Sequence, residues 1–164
     1  MICIVKKLTG FTLIELIVTV TIVAILASVA MPMLKMTVQR SKESELRANL
    51  RQIREAIDAY KKASDEGRIK KTLEASDYPP SLEILVDGVE DIKDIKKNKL
   101  KFLRIIPLDP MFPVTSINNN ELPNNWGLRS YASEVESPQQ GDDVFDVYSQ
   151  SQQPGINGVP YAQW

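Results

Sequence analysis

The sequence predicts an α+β protein in which a long N-terminal helix, membrane-spanning in its first half, packs on a small antiparallel sheet within a loop-rich C-terminal domain. Residues 11–34 form an apolar run with a single charge. Residues 36–63 repeat apolar side chains at helical spacing. The side chains of residues 144–148 alternate between two faces, as those of a β-strand do. Val144, Asp146 and Tyr148 would lie on one face, and Phe145 and Val147 on the other. The chain has 164 residues, a length that suits one small folded domain beside such a helix.

The apolar run at residues 11–34 is long enough to cross a membrane. As a helix rising about 1.5 Å per residue it spans about 36 Å, and the hydrocarbon core of a bilayer is roughly 30 Å thick. One alternative is a buried core helix, but the rest of the chain has too little apolar material to surround it. The other is a cleaved secretory signal, whose apolar region is usually shorter. A membrane-spanning helix is therefore expected.

The charges around this run predict its orientation. Lys6 and Lys7 precede it without any acid, so the positive-inside rule places residues 1–10 in the cytoplasm and the rest of the chain across the membrane. Glu15 is the single charge inside the run. Such a residue costs on the order of 3 kcal/mol at the centre of a membrane helix and usually has a partner and a function.

Nothing within the apolar run can pair with Glu15. If the chain were cut after Gly10, Phe11 would carry a free α-amino group one helical turn away on the same face. The same amine on a neighbouring molecule would serve equally well. Pairing between molecules would couple charge neutralisation to assembly.

A proline marks the end of the apolar run. Pro32 removes one backbone hydrogen bond and clashes with the preceding turn, so a kink or local melting of the helix is expected. The alternative is a simple helix break at the membrane surface. Beyond it the helical pattern resumes, with apolar residues spaced 4, 3, 4 and 3 apart: Leu46, Leu50, Ile53, Ile57 and Tyr60. This stripe is expected to contact the chain's own domain, and the charged faces of the helix to be solvated.

The remainder of the chain is rich in prolines and loops. Ser81 is expected to cap a short helix, and residues 92–103 to form a second one. Residues 105–113 contain three prolines and predict an ordered loop. Residues 128–132 are expected to pair with the strand at 144–148 in a small antiparallel sheet.

Composition excludes several classes of function. The chain has no histidine, so imidazole catalysis and histidine-ligated metal sites are excluded. Its one cysteine, Cys3, cannot form an internal disulfide. The 20 basic and 21 acidic residues nearly balance, which gives no reason to expect a nucleic-acid partner. The sequence also lacks the G-x-x-x-x-G-K-[ST] loop of nucleotide-driven motors.

An enzyme on this chain would have to work with carboxylates alone. The carboxylates that the sequence offers for this are Asp109, Asp142, Asp143 and Asp146. Nothing in their spacing indicates that two of them converge in a cleft, as general acid–base catalysis requires. The sequence therefore predicts a protein that is not an enzyme.

Residues 6–15, K-K-L-T-G-F-T-L-I-E, with the apolar run behind them, resemble the class III signal of type IV pilins and type II secretion pseudopilins. In that family a membrane aspartyl peptidase, the prepilin peptidase, cleaves after the glycine and methylates the new N-terminal residue. The resemblance implies cleavage between Gly10 and Phe11 and N-methylation of Phe11. It also implies that Glu15, with the Phe11 amine, is required for filament assembly.

The resemblance implies four segments. These are a removed leader (1–10), a transmembrane and filament-core helix (11–34), a soluble continuation of that helix (35–66) and a periplasmic pseudopilin domain (67–164). It further implies a single-pass protein of the bacterial inner membrane with a cytoplasmic N-terminus. The implied partners are other copies of the chain, the prepilin peptidase, minor pseudopilins, the inner-membrane platform of the secretion machine and membrane lipid.

The second half of the chain is similar in order and content to the major, G-type pseudopilin. The similar stretches are Tyr78-Pro with Leu82 and Leu85, residues 102–110, Trp126-Gly, and residues 143–149. Cleavage would also remove Cys3, whereas many type IV pilins close a C-terminal loop with a disulfide. A pseudopilin is therefore favoured, and a pilin of a surface or DNA-uptake pilus is the alternative.

One departure from that family concerns calcium. Major pseudopilins commonly bind it in the loop after the last strand, but residues 149–164 contain no Asp or Glu. Calcium prefers six to eight oxygen ligands, usually with carboxylates among them. We expect no metal and no cofactor. The alternative is a calcium site near Asp142, Asp143, Ser151 and Asn157. We expect Tyr161 and Trp164 to pin this tail onto the domain by packing instead.

Overall fold

The computed structural model describes residues 10–71, 76–111 and 125–164. Most of the expected leader, with Cys3, Lys6 and Lys7, lies outside these residues, as do the last two positions of the predicted 105–113 loop. The chain divides into two compact units, Met1–Gln39 and Arg40–Trp164.

One helix, α1, runs from Leu13 to Asp65 and contains 53 residues. Thr12 caps its first turn, because the backbone N–H of Glu15 donates to Thr12 Oγ1 at 3.3 Å. The helix is unbroken at Pro32, so a helix break or local melting there is wrong. A proline removes one backbone hydrogen bond of a helix, and the helical turns on both sides keep their own backbone hydrogen bonds. A kink at Pro32 stays a prediction.

The unit Arg40–Trp164 adds short elements to the second part of α1. These are the helix α2 (Glu83–Asp87), the strands β1 (Val89–Glu90), β2 (Lys99–Leu100), β3 (Trp126–Arg129) and β4 (Asp146–Ser149), and a 3₁₀ turn at Tyr161–Gln163. The strand β1 pairs with β2, and β3 with β4, both antiparallel. The predicted α+β class is confirmed.

The predicted pairing in the second half is confirmed with shifted strand ends. Leu128 lies opposite Val147 in the β3–β4 ladder. Gly127 is required at its position, because a Cβ there would lie 2.3 Å from Cζ of Tyr148. The absent side chain thus lets the Tyr148 ring lie across β3.

Two local predictions are wrong. The residue that caps α2 is Leu82, with no side-chain hydrogen bond, rather than Ser81. Residues 92–103 form a turn followed by β2 instead of a helix. In that turn Asp91 and Asp94 accept hydrogen bonds from the backbone N–H groups of Lys93 and Lys96, both at 3.0 Å. These bonds compete with helix formation.

The apolar stripe of α1 is the centre of the core, as predicted. All five stripe residues are buried. They belong to one cluster with the buried apolar residues of the other elements: Leu82, Leu85, Leu103, Trp126, Val144, Val147 and Tyr161. Full burial of one such side chain stabilises the fold by about 1.5–3 kcal/mol. This cluster therefore holds the short elements of the unit Arg40–Trp164 against the second part of α1.

Candidate functional site

The first part of α1 exposes an apolar surface. Among the described residues, α1 is the one helix long and apolar enough to cross a membrane, and none of its most apolar 18-residue stretch is buried. Soluble proteins rarely leave an apolar surface of this length in water. Its length and exposure fit a helix surrounded by lipid or by other apolar helices.

The hydroxyl groups on this surface are satisfied by the helix itself. Four side chains donate to backbone carbonyl oxygens three or four residues earlier, at 2.7–2.9 Å: Thr19, Thr21, Ser28 and Thr37. In a hydrocarbon environment polar groups have to find partners inside the protein. These side chains therefore suit an apolar environment.

Glu15 differs from these hydroxyls. Its side chain is exposed, and no ion pair joins its carboxylate to any residue that the structure describes. Gly10 and Phe11 are exposed as well, and nothing within the described chain lies within 4 Å of a Cβ built at Gly10. The Gly10–Phe11 bond is thus accessible, and the Glu15 carboxylate is available to another molecule.

Residues 6–31 match the family model of the prokaryotic N-terminal methylation motif. The chain carries a type IV pilin-like signal. The match includes Gly10, Phe11 and Glu15 and most of the apolar run. Comparisons with curated proteins and with solved structures gave no match. The motif supports the type IV pilin family, and α1 fits the single-pass membrane anchor typical of type IV pilins.

The C-terminal tail is held by a residue that the sequence analysis did not single out. Glu43 of α1 is only 7% exposed. Its Oε1 accepts hydrogen bonds from the backbone N–H of Ile156 at 2.7 Å and from the hydroxyl of Tyr161 at 2.9 Å. The prediction of a solvated charged face is wrong at this position.

Aromatic and arginine side chains hold the end of the same tail. The rings of Tyr161 and Trp164 meet edge to face at 5.0 Å, and the Arg47 guanidinium lies 4.4 Å from the Trp164 ring centre. Arg54 donates to the main-chain oxygens of Val147 and Trp164, both at 3.1 Å. The predicted pinning of the tail by Tyr161 and Trp164 is confirmed.

The residues named for calcium are divided between different parts of the domain. Asp142 and Asp143 line one cavity, and Asn157 lines another, beside Trp164. Asn157 Oδ1 accepts from the N–H of Val159 at 3.1 Å, and Ser151 Oγ accepts from the N–H of Gln153 at 3.4 Å. Within the described ranges no group of three or more Cys, Asp or Glu side chains could hold a metal ion. A protein without calcium stays a prediction.

The other carboxylates considered for catalysis have structural contacts. Asp109 is buried and accepts from Ser149 Oγ at 2.6 Å. Asp146 pairs with Arg54 at 2.7 Å and with Arg129 at 3.3 Å. These contacts connect β4 to the loop before β3 and to α1, so both residues hold the fold together.

Asp143 is an acid with several hydrogen-bond donors around it. It is buried and accepts hydrogen bonds from the hydroxyls of Ser76 and Ser130 and from the N–H of Tyr131. Burial by itself raises the pKa of Asp143, but these hydrogen bonds outweigh it and lower the pKa below its ordinary value.

We expect this acid to make the fold sensitive to low pH. An Asp whose pKa is lowered in the folded state stabilises the fold at pH values above its ordinary pKa of about 3.9. This stabilisation is lost as the pH falls through the folded-state pKa. Denaturation of the detergent-solubilised chain over a pH series should show this loss, and Asp143→Asn should make it shallower. Asp142→Asn is the matched control, since its exposed carboxylate accepts none of these bonds. Identical profiles for the Asp143→Asn variant and the native chain would contradict the assignment.

Proposed function

We propose that this chain is a structural subunit of a type II secretion pseudopilus. In this proposal the prepilin peptidase removes residues 1–10 and methylates Phe11, and the processed chains polymerise into a short helical filament that helps to move folded proteins across the outer membrane. The observation that carries the proposal is the methylation motif at the start of an exposed apolar segment of α1. Glu15 is the one acid of residues 11–34, and no ion pair joins it to the described residues.

Assembly in this proposal is driven by the apolar helix and its single acid. In the bilayer, an acid costs up to about 3 kcal/mol, the value at the centre of a membrane helix, and Glu15 bears part of this cost. In the filament, the carboxylate meets the α-amine that cleavage creates on a neighbour's Phe11, and the apolar helices bundle around this pair. Pairing with the neighbour's amine offsets this cost and couples the neutralisation of Glu15 to polymerisation.

The remaining roles follow from the same proposal. The first part of α1 anchors the subunit in the bacterial inner membrane as a single pass, with a cytoplasmic leader and a periplasmic domain. A separate cytoplasmic ATPase supplies energy, because the sequence has no phosphate-binding loop of its own. The subunit is not an enzyme and needs no metal or cofactor. Its partners are other copies, the prepilin peptidase, minor pseudopilins and the inner-membrane platform.

Two features favour a pseudopilin over a pilin of a surface or DNA-uptake pilus. Loss of the leader removes Cys3 and leaves no thiol for a C-terminal disulfide. It also removes Lys6 and Lys7, so the processed chain has 18 basic and 21 acidic residues. This slight excess of acids is unsuited to binding DNA. Neighbouring genes for a secretin and further pseudopilins would separate the two systems.

The intact mass of protein extracted from membranes tests the processing step. We expect the mass of residues 11–164 plus one methyl group. Gly10→Val should yield the full-length mass, because a branched side chain replaces the glycine next to the cleaved bond. Thr9→Ser, a leader change that keeps Gly10, is the control and should be processed normally. An uncut N-terminus in the native chain would contradict the proposed function.

A further inference from the structure

The turn between β1 and β2 is held firmly although it is exposed. We call residues 91–101 the lysine loop. Asp91 pairs with Arg68 at 2.5 Å and accepts the N–H of Lys93. Asp94 accepts the N–H of Lys96 at 3.0 Å and the side-chain amide of Asn98 at 2.6 Å. These bonds fix the backbone, so the loop does not have to be ordered when a partner binds.

The outer face of the lysine loop is apolar and positive. Ile92 is 57% exposed, and Ile95 is fully exposed. Asp91 and Asp94 are engaged with the loop itself and with Arg68, as described. The side chains of four lysines are exposed and form no ion pair with the described residues: Lys96, Lys97, Lys99 and Lys101. An exposed isoleucine on a rigid positive loop fits an acidic surface with an apolar centre.

The same chain presents such a surface after β3. We call residues 131–136 the acidic loop. Val135 is 77% exposed and lies between Glu134 and Glu136, both exposed and without an ion pair to the described residues. Ser133 fixes the start of this loop, since its N–H and its hydroxyl both donate to the oxygen of Ser130, at 3.1 and 3.0 Å. Residues 130–164 carry five acids and no lysine or arginine.

We propose that the lysine loop of one subunit docks on the acidic loop of the next subunit in the filament. Two different patches that complement each other give a head-to-tail contact, and repetition of such a contact generates a helical filament. The charges of the two loops are opposite, and each loop has an exposed apolar residue at its centre. Hydrogen bonds hold the backbone of the lysine loop and the start of the acidic loop. The inference rests on the proposed function, and it assigns the contact between the folded units of neighbouring subunits in the filament.

Cysteine cross-linking in assembled filaments tests the contact. In a Cys3→Ser background the chain has no other thiol, so Ile95→Cys and Val135→Cys introduce the only ones. We expect oxidation to give a ladder of covalent oligomers when both cysteines are present, and monomers when either is present alone. Dimers from one cysteine alone would point to a symmetric contact, and monomers with both present would place the loops apart. Either result would overturn the inference.

Charge exchange tests the same contact without a covalent bond. K96E/K97E alone and E134K/E136K alone should each reduce filament yield at least tenfold, and combining them should restore it. K62E/K70E changes two other exposed lysines by the same charge and should leave the yield unchanged. Failure of the combined variant to recover would contradict the pairing. Normal filaments from K96E/K97E, together with a loss of binding to phosphatidylglycerol vesicles, would also contradict the pairing. The lysine loop would then contact lipid instead of a neighbouring subunit.

These outcomes are separable from failure of the proposed function. If the native chain is cut, methylated and polymerised but the two cysteines never cross-link, the inference fails and the proposed function stands. If the native chain is neither cut nor polymerised, the proposed function itself fails.

Discussion

Replacing Glu15 with alanine should abolish filament assembly while leader cleavage continues. In the membrane, the variant subunit no longer carries a carboxylate, which costs up to about 3 kcal/mol at the centre of a membrane helix. In the filament, the neighbour's α-amine is left without its counter-charge. Both changes favour the dispersed subunit. Since each 1.4 kcal/mol is about tenfold in an equilibrium constant, we expect filament yield to fall about tenfold or more.

Shearing filaments from cells and counting them by electron microscopy measures this effect, and a size shift on an immunoblot reports cleavage. Glu15→Gln keeps the shape of the side chain and removes its charge, so it should also fail to assemble. Thr19→Ala is the matched control, because the Thr19 hydroxyl is already bonded to the carbonyl of Leu16. Filaments at native yield from Glu15→Ala would show that the carboxylate is not needed.

Replacing Glu43 with alanine should be the most damaging single change at the tail. The substitution removes the acceptor that Glu43 offers to the part-buried N–H of Ile156 and to the buried hydroxyl of Tyr161. An unsatisfied buried polar group costs about 1–3 kcal/mol, and more when the lost partner is charged. We expect the free energy of unfolding to fall by about 2–5 kcal/mol.

Chemical denaturation of the detergent-solubilised chain measures this loss. Tyr161→Phe removes only the hydroxyl and should cost about 1 kcal/mol, and the double variant should cost less than the sum of the two, because both act on one hydrogen bond. Glu45→Ala, an exposed glutamate two residues along α1, should stay within about 0.5 kcal/mol of the native chain. A similarly small effect of Glu43→Ala would show that the tail is held without it.

Features encoded by neighbouring residues were predictable from the sequence. The stripe from Leu46 to Tyr60 follows the helical period, and the residues of β4 alternate between more and less buried positions. The burial of both sets could be predicted from the sequence pattern alone. The leader junction is a local code of ten residues, and the match at residues 6–31 includes it. Each of these signals lies within one short stretch of chain.

Features that depend on distant partners could not be predicted in the same way. Glu43 meets Tyr161 across 118 positions, and on the helix it is one more polar residue on a charged face. The segment 92–103 has helix-forming residues, but Asp91 and Asp94 turn its backbone, and Lys99 lies opposite Glu90 of β1. Asp142 and Asp143 are adjacent in sequence, yet only Asp143 is buried. These outcomes depend on tertiary contacts that a one-dimensional pattern does not contain.

The hydroxyls that bond back to α1 have a consequence for mechanics. The hydroxyls donate to carbonyl oxygens of their own helix, so they have no donor left for neighbouring helices: Thr19, Thr21, Ser28 and Thr37. In a bundle of such helices Glu15 is the one charged anchor, and the other contacts are apolar and without direction. Helices joined in this way slide past one another at low cost. In the proposed filament, such helices would be able to shift along one another under load.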